Sequence, residues 1–190
     1  SPAAMGQRLV RAKKTMRDAG IPFRLPERAD LPERLDAVLT AIYAAFAEGW
    51  SDPRGADARR RELGEEAIWL GRLMAQLLPA EPEVLGLLSL MLHADARRNA
   101  RRTSNGDYVP LAEQDCCLWN IDQIAEAESQ LRQASTLNIM GRYQLEAAVQ
   151  SAHAARRFSG GSDWAAIARL DAALVALAGS PVVAISHAVA

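Results

Sequence analysis

Within the first nineteen residues Gln7, Arg8, Arg11 and Lys14 recur at helical spacing, and their side chains carry the donors that contact base edges and phosphates in nucleic acids. Arg17 extends the same arc. Met5, Leu9, Ala12 and Met16 fall at i, i+4, i+7 and i+11 on the other side, as a packing stripe requires. Ser1 is a candidate N-cap, Pro2 fits the first helical position, and Gly20 followed by Pro22 ends the segment. The pattern predicts a short, basic, one-sided helix of the kind that reads a major groove in a helix-turn-helix. An ordinary amphipathic surface helix has the same periodicity, and spacing alone does not separate the two.

Other chemistry is sparsely represented. His93, with Asp95 two residues later, His153 and His187 are the three imidazoles, and none has metal-ligand or H-E-x-x-H spacing. Cys116 and Cys117 are adjacent, which disfavours a bridge between them and gives no metal-type spacing, so reduced thiols on a helix are expected. The carboxylate pairs Glu65/Glu66, Glu81/Glu83 and Glu126/Glu128 sit in helical contexts typical of solvated faces or first turns. Nucleophile elbow, phosphate loop and dinucleotide fingerprint are all lacking. The reading is therefore not an enzyme, with no cofactor and no metal.

Two places in the body stand out as candidate protein-interaction sites. One is Glu48-Gly49-Trp50. The other is the cluster His93, Arg97, Arg98, Arg101 and Arg102, of which His93, Arg97 and Arg101 are the residues singled out alongside Glu48 and Trp50. The arginines follow a helix C-terminus, where cations complement the helix dipole, so capping explains them without a partner. Glu48 is placed to pair with one of them inside the fold, a structural role.

The elements that must carry these residues are helical throughout. The chain of 190 residues is 49% apolar but only 5% aromatic, with alanine contributing heavily, which favours close-packed helices over sheets. Residues 1–28 hold seven Lys/Arg against Asp18 and Glu27, leaving 15 cations against 21 anions in the remainder. Any nucleic-acid contact thus belongs to the N-terminal helix, and the acidic body suits a basic protein partner. Pro22, Pro26 and Pro32 mark residues 20–32 as a stiff linker.

Beyond the linker, stripes of Leu35, Leu39, Ile42 and Phe46 and of Leu63, Ala67, Leu70, Met74 and Leu77 predict two helices. Pro82 opens a third, whose Val84 to Leu92 run is apolar on most of its circumference, as in a helix buried on several sides. Residues 97–111, with Asn105-Gly106-Asp107, read as a loop with a turn or hairpin. Helix resumes near Glu113 and breaks at Ser135–Gly141. Helices from Tyr143 to Arg156 and from Asp163 to Ala178 follow, and Pro181 opens a last one. The fold expected is all-α: a helical-hairpin stack over residues 33–190, of tetratricopeptide-like repeat length, preceded by an isolated helix at 1–19. No apolar run approaches a membrane span and no leader pattern opens the chain, which predicts a cytoplasmic protein with no membrane partner.

The string Ser1-Pro2-Ala3-Ala4-Met5-x-x-Arg8-Leu9-x-Arg11-Ala12-Lys13 resembles the recognition helix of region 4 in bacterial RNA polymerase sigma factors of the extracytoplasmic-function class. In the body, four strings resemble the tetratricopeptide-like C-terminal extension of one subgroup of these factors. They are Tyr43-Ala44-Ala45-Phe46-Ala47-Glu48-Gly49-Trp50, Glu81 to Arg97, Tyr143-Gln144-Leu145-x-Ala147-Ala148 and Ser180-Pro181-Val182-Val183-Ala184. The resemblance covers nearly the whole chain. It implies a C-terminal fragment of a transcription initiation factor, whose full-length parent engages RNA polymerase core and promoter DNA and whose extension binds a protein partner. Two departures accompany it. The promoter-opening region 2 is absent, and Trp50 and Ala47 stand where family members more often have Tyr and Asn. A helical scaffold that binds protein partners and has no DNA role is the alternative.

Overall fold

A computed structural model of the chain describes residues 10–11, 13–20, 27, 30–50 and 58–178. Gln7 and Arg8, most of the linker and the helix expected from Pro181 lie outside the described residues. The chain divides into two compact units, Ser1–Asp36 and Ala37–Ala190. In the first, residues 13–18 are helical and Gly20 closes them in the left-handed region at φ 62°. Arg11 and Lys14 are exposed there, with Lys13 and Arg17. Met16, expected on a packing stripe, is 57% exposed, because nothing described in its own unit covers it.

Helix α1 (Leu31–Trp50) runs across the unit boundary, and the second unit is an all-helical stack. It continues with α2 (Ala58–Leu77), α3 (Pro82–Ala96), α4 (Ile121–Thr136), α5 (Arg142–Ala154), the single turn α6 (Arg156–Ser159) and α7 (Trp164–Ala178). Among the described residues there is no strand, only an isolated antiparallel bridge between Arg102 and Tyr108.

The third helix is the centre of this unit. Every one of its 15 residues except Glu83 and Asp95 is buried. It packs on α2, α4 and α5, while α5 also carries α7. Leu85, Leu87, Leu88, Met91 and Leu92 are almost wholly removed from water, each worth about 1.5–3 kcal/mol of transfer free energy. An apolar circumference has thus become a helix with neighbours on several sides, as its sequence predicts.

Close backbone approaches set how the helices meet. At the end of α1, a Cβ added to Gly49 would lie 2.5 Å from the Arg60 carbonyl oxygen and 2.6 Å from the Gly64 amide nitrogen, so α1 and α2 touch backbone to backbone there. A Cβ on Gly86 of α3 would lie 2.5 Å from the Gln144 amide nitrogen at the start of α5. Next to that contact, the Glu83 carboxylate accepts hydrogen bonds from the backbone N–H groups of Tyr143 (3.0 Å) and Gln144 (3.1 Å). Gly141, at the N-cap of α5, has no side chain to do this. A residue sixty positions earlier therefore caps the helix and complements its dipole.

Two expectations need correction. The stripe Leu63, Ala67, Leu70, Met74 and Leu77 is not the buried face of α2, since Leu63 is exposed and Leu77 is 66% exposed. The face turned inward is Gly64, Ala67, Ile68, Gly71 and Ala75, because small residues allow the close approach to neighbouring helices that leucines on that face would prevent. Helix also does not resume near Glu113. Two 3₁₀ turns, Leu111–Glu113 and Cys116–Leu118, come first, and the cysteines sit on the second as free thiols. The Asp115 carboxylate accepts from the Cys117 N–H at 2.8 Å and closes that turn. Asn120, in extended backbone, then accepts from the Gln123 N–H at 3.1 Å and starts α4 at Ile121. At the other end of the stack Asp163 accepts from the Ala166 N–H at 2.9 Å, as an N-cap for α7.

Candidate functional site

The singled-out residues of the body separate into two environments, one interior and one open. The turn after α3 explains the split. Arg97 ends that helix, residues Arg98–Ala100 form a 3₁₀ turn, and the chain then reverses through Asn105-Gly106-Asp107, with Gly106 at φ 89°. The Thr103 hydroxyl accepts from the Asn105 and Asp107 N–H groups, and the Arg102–Tyr108 bridge closes the reversal. Arg97 and Arg101, four residues apart in sequence, accordingly reach different partners, Gln150 and the Trp50 carbonyl.

His93 and Arg97 face inward. The His93 ring is 1% exposed; its Nε2 lies 3.4 Å from Glu128 Oε1 without the alignment of a made hydrogen bond, and its Nδ1 has no partner. Glu128 also accepts a short hydrogen bond, 2.5 Å, from the Ser151 hydroxyl. Its carboxyl is held below the usual range chiefly by the His93 contact, aided by Ser151 and opposed by burial. Arg97 donates to the His93 carbonyl at 3.3 Å and to the Gln150 side-chain oxygen at 2.5 Å. Burial, reinforced by Arg101, lowers its pKa to about 10, so it stays protonated at neutral pH. Arg97 thus performs the helix-capping role its position implies.

Trp50, Arg98, Arg101 and Arg102 form the open environment. Arg101 donates to the Trp50 carbonyl at 2.9 Å, capping the end of α1, and its guanidinium carbon lies 3.7 Å from the Trp50 ring centroid. Phe46 stacks on the same indole, with centroids 5.9 Å apart and planes 17° from parallel. Arg98 bonds the Asp95 carboxylate at 2.6 Å, and its buried Nη2 has no partner. Burial depresses the pKa of Arg101, opposed by Tyr108 and reinforced by the neighbouring charges of Arg102 and Arg98.

These groups line a cleft of about 390 Å³, to which α2 contributes Arg61 and Glu65. Gly49 and Asn99 complete the lining. Neither Arg61 nor Glu65 was expected. The run Arg59-Arg60-Arg61, with Glu65 one helical turn further on, was the available signal, but it shows no face until α2 is docked at Gly64. Glu48 does not pair with the arginine cluster: it lies 3.3 Å from Arg60 on the adjacent helix, both side chains well exposed. The Gly49·Gly64 contact brings the end of α1 beside the start of α2, so Arg60 is nearer than any residue of the turn after α3.

Among the described residues, no three His, Cys, Asp or Glu side chains converge as a metal centre requires, and no helix is long and apolar enough to cross a membrane. The model of a family of unknown function, DUF6596, matches residues 34–135. An uncharacterized protein of Rhizobium meliloti (strain 1021) is 43% identical over 190 residues, all of this chain, and the chain spans 45% of that relative's length. No solved structure matches the chain significantly.

Proposed function

We propose, for a chain that belongs to the DUF6596 family of unknown function, a role as the C-terminal part of a bacterial sigma factor of the extracytoplasmic-function class. In this reading the N-terminal helix belongs to the promoter-reading module of the parent protein. The tetratricopeptide-like stack is a cytoplasmic, non-catalytic regulatory domain that binds protein. The observation that carries the reading is the order of the two parts: the region-4-like string Ser1 to Lys13 followed, after a proline-marked segment, by an all-helical stack. The exposed cations Lys13, Lys14 and Arg17 on helical residues support phosphate contact by the first part. Trp69, Leu73 and Leu77, exposed at i, i+4 and i+8 along α2, support a protein-binding role for the second.

Run-off transcription with purified parent protein and RNA polymerase core tests the proposal. Promoter-dependent transcripts are expected, with Arg8→Ala and Arg11→Ala each weakening promoter binding by about 1–3 kcal/mol if the side chain reads a base edge. Absence of promoter-dependent initiation would refute it. One observation favours the second reading, a helical scaffold with no DNA role: the family match over residues 34–135 lies wholly beyond the basic helix.

A further inference from the structure

The turn after α3 carries a reactive pair of residues that protein binding does not use. Asn105 is exposed at its tip, and its hydrogen bond to the Thr103 hydroxyl is made by the backbone N–H, not by the side-chain amide. The next residue is Gly106, whose nitrogen no Cβ shields and whose φ of 89° residues with a Cβ rarely adopt. The chain's other three asparagines lack such a neighbour: Asn99 precedes Ala100, Asn120 precedes Ile121 and Asn138 precedes Ile139. Two of them also have engaged carboxamides, Asn120 as the N-cap of α4 and Asn138 as a donor to the Thr136 carbonyl. The Gly106 N–H donates to the Thr103 carbonyl at 2.9 Å, a single bond at an exposed turn, where local opening costs least.

We propose that Asn105 is a self-modification site, converted without an enzyme to aspartate and isoaspartate. Solvent base removes the Gly106 N–H proton and the nitrogen attacks Cγ of Asn105, closing a five-membered imide. The side-chain nitrogen takes a proton and leaves as ammonia. Water then opens the ring: attack at Cγ gives aspartate, and attack at the main-chain carbonyl gives isoaspartate, in which the backbone runs through Cβ and Cγ. Both products place a new carboxylate near Asp107. Isoaspartate also lengthens the main chain inside a turn whose register is tightly set. Thr103 N–H bonds the Asp107 carbonyl at 2.9 Å, Val109 N–H bonds the Arg101 carbonyl at 2.8 Å, and the Arg102 guanidinium bonds the Gly106 carbonyl at 2.8 Å. These bonds fix Arg101, which in turn caps α1 at the Trp50 carbonyl. Ageing at one exposed amide therefore reaches the end of α1 through the turn.

Incubation of the 190-residue chain at mildly alkaline pH, followed by tryptic mapping and by labelling with an isoaspartate-specific methyltransferase, tests this. Trypsin should release residues 103–132 as one peptide that holds both Asn105 and Asn120, so fragment masses compare the two directly. The expected result is amide-to-acid conversion at Asn105 ahead of Asn99, Asn120 and Asn138, with methyl labelling at position 105 and a falling thermal midpoint as isoaspartate accumulates. Asn105→Ser should fold like the parent chain, because residue 105 enters the turn's hydrogen bonds through its backbone, and should lose the labelling and hold its midpoint through the same incubation. Conversion at Asn105 no faster than at the other three asparagines would overturn the proposal. An isoaspartate-bearing chain that melts with the unmodified one, or an Asn105→Ser chain that loses stability as fast as the parent, would overturn the link from the turn to α1.

Discussion

Removing the Glu83 carboxylate should unlatch α5 from the central helix, and the size of the effect follows from its two hydrogen bonds. Glu83 is the described acceptor for the Tyr143 and Gln144 N–H groups, at 3.0 and 3.1 Å, at a helix start where Gly141 offers no side chain. Hydrogen bonds to a charged group are worth about 1.5–3 kcal/mol each in net terms, and loss of an N-cap costs about 0.5–2 kcal/mol. The two bonds share one carboxylate and are not additive, and water can reach part of the site in a truncated variant. Glu83→Ala should therefore cost about 2–3 kcal/mol, and Glu83→Gln, which retains one acceptor but loses the charge, about 1 kcal/mol. At about 2–4 °C per kcal/mol for a unit of this size, the alanine variant should melt about 4–12 °C lower. Urea and thermal denaturation followed by circular dichroism at neutral pH measure both. An alanine variant within about 0.5 kcal/mol of the parent chain would refute cross-helix capping by Glu83.

Further outcomes follow from the packing and from one buried imidazole. Gly49→Val should destabilise the chain by more than about 2 kcal/mol, since even the first side-chain carbon would stand 2.5 Å from the Arg60 carbonyl oxygen and the helices must separate; chemical denaturation reads this directly. Burial, with Arg97 and Arg156 nearby, lowers the pKa of His153 below its ordinary 6.5. Between the folded and unfolded pKa values the unfolded chain binds more protons, so this contribution is full above about pH 6.5 and is lost as pH falls through the folded value. His153→Gln should flatten the stability profile in that window, and an unchanged slope in urea titrations from pH 7.5 to 5 would contradict the assignment.

What was legible in the chain, and what was not, divides along the reach of the interactions. The burial of α3 was plain because apolar residues on all sides of Val84 to Leu92 leave water no face to occupy. The Thr103 side-chain bonds of the turn at Asn105-Gly106-Asp107 and the Asp163 cap were local, each joining residues no more than four apart. The inner face of α2 was misplaced because leucine spacing was weighed above small residues, whereas the contact is a backbone approach at Gly49 and Gly64 that only the docked partner reveals. The start of α4 was placed too early, near Glu113, where the chain makes two 3₁₀ turns; Asp115 closes the second of them, and only the Asn120 side chain caps the helix proper. At the candidate site, the arginines were visible as a cluster but not as a partition. Arg97 turns in toward Gln150, 53 residues away, and Arg101 turns out to the Trp50 carbonyl, 51 residues away. No spacing rule reaches that far.

The claim that binds these parts together is that the stack regulates a promoter-reading protein. Deleting residues 33–190 from the full-length parent, while keeping the basic helix and the linker, tests it most directly. Reporter output from the cognate promoter should change at matched protein levels, with the same promoters still used. Unaltered output would leave the stack without a regulatory role, and a changed choice of promoter would place it in DNA recognition instead.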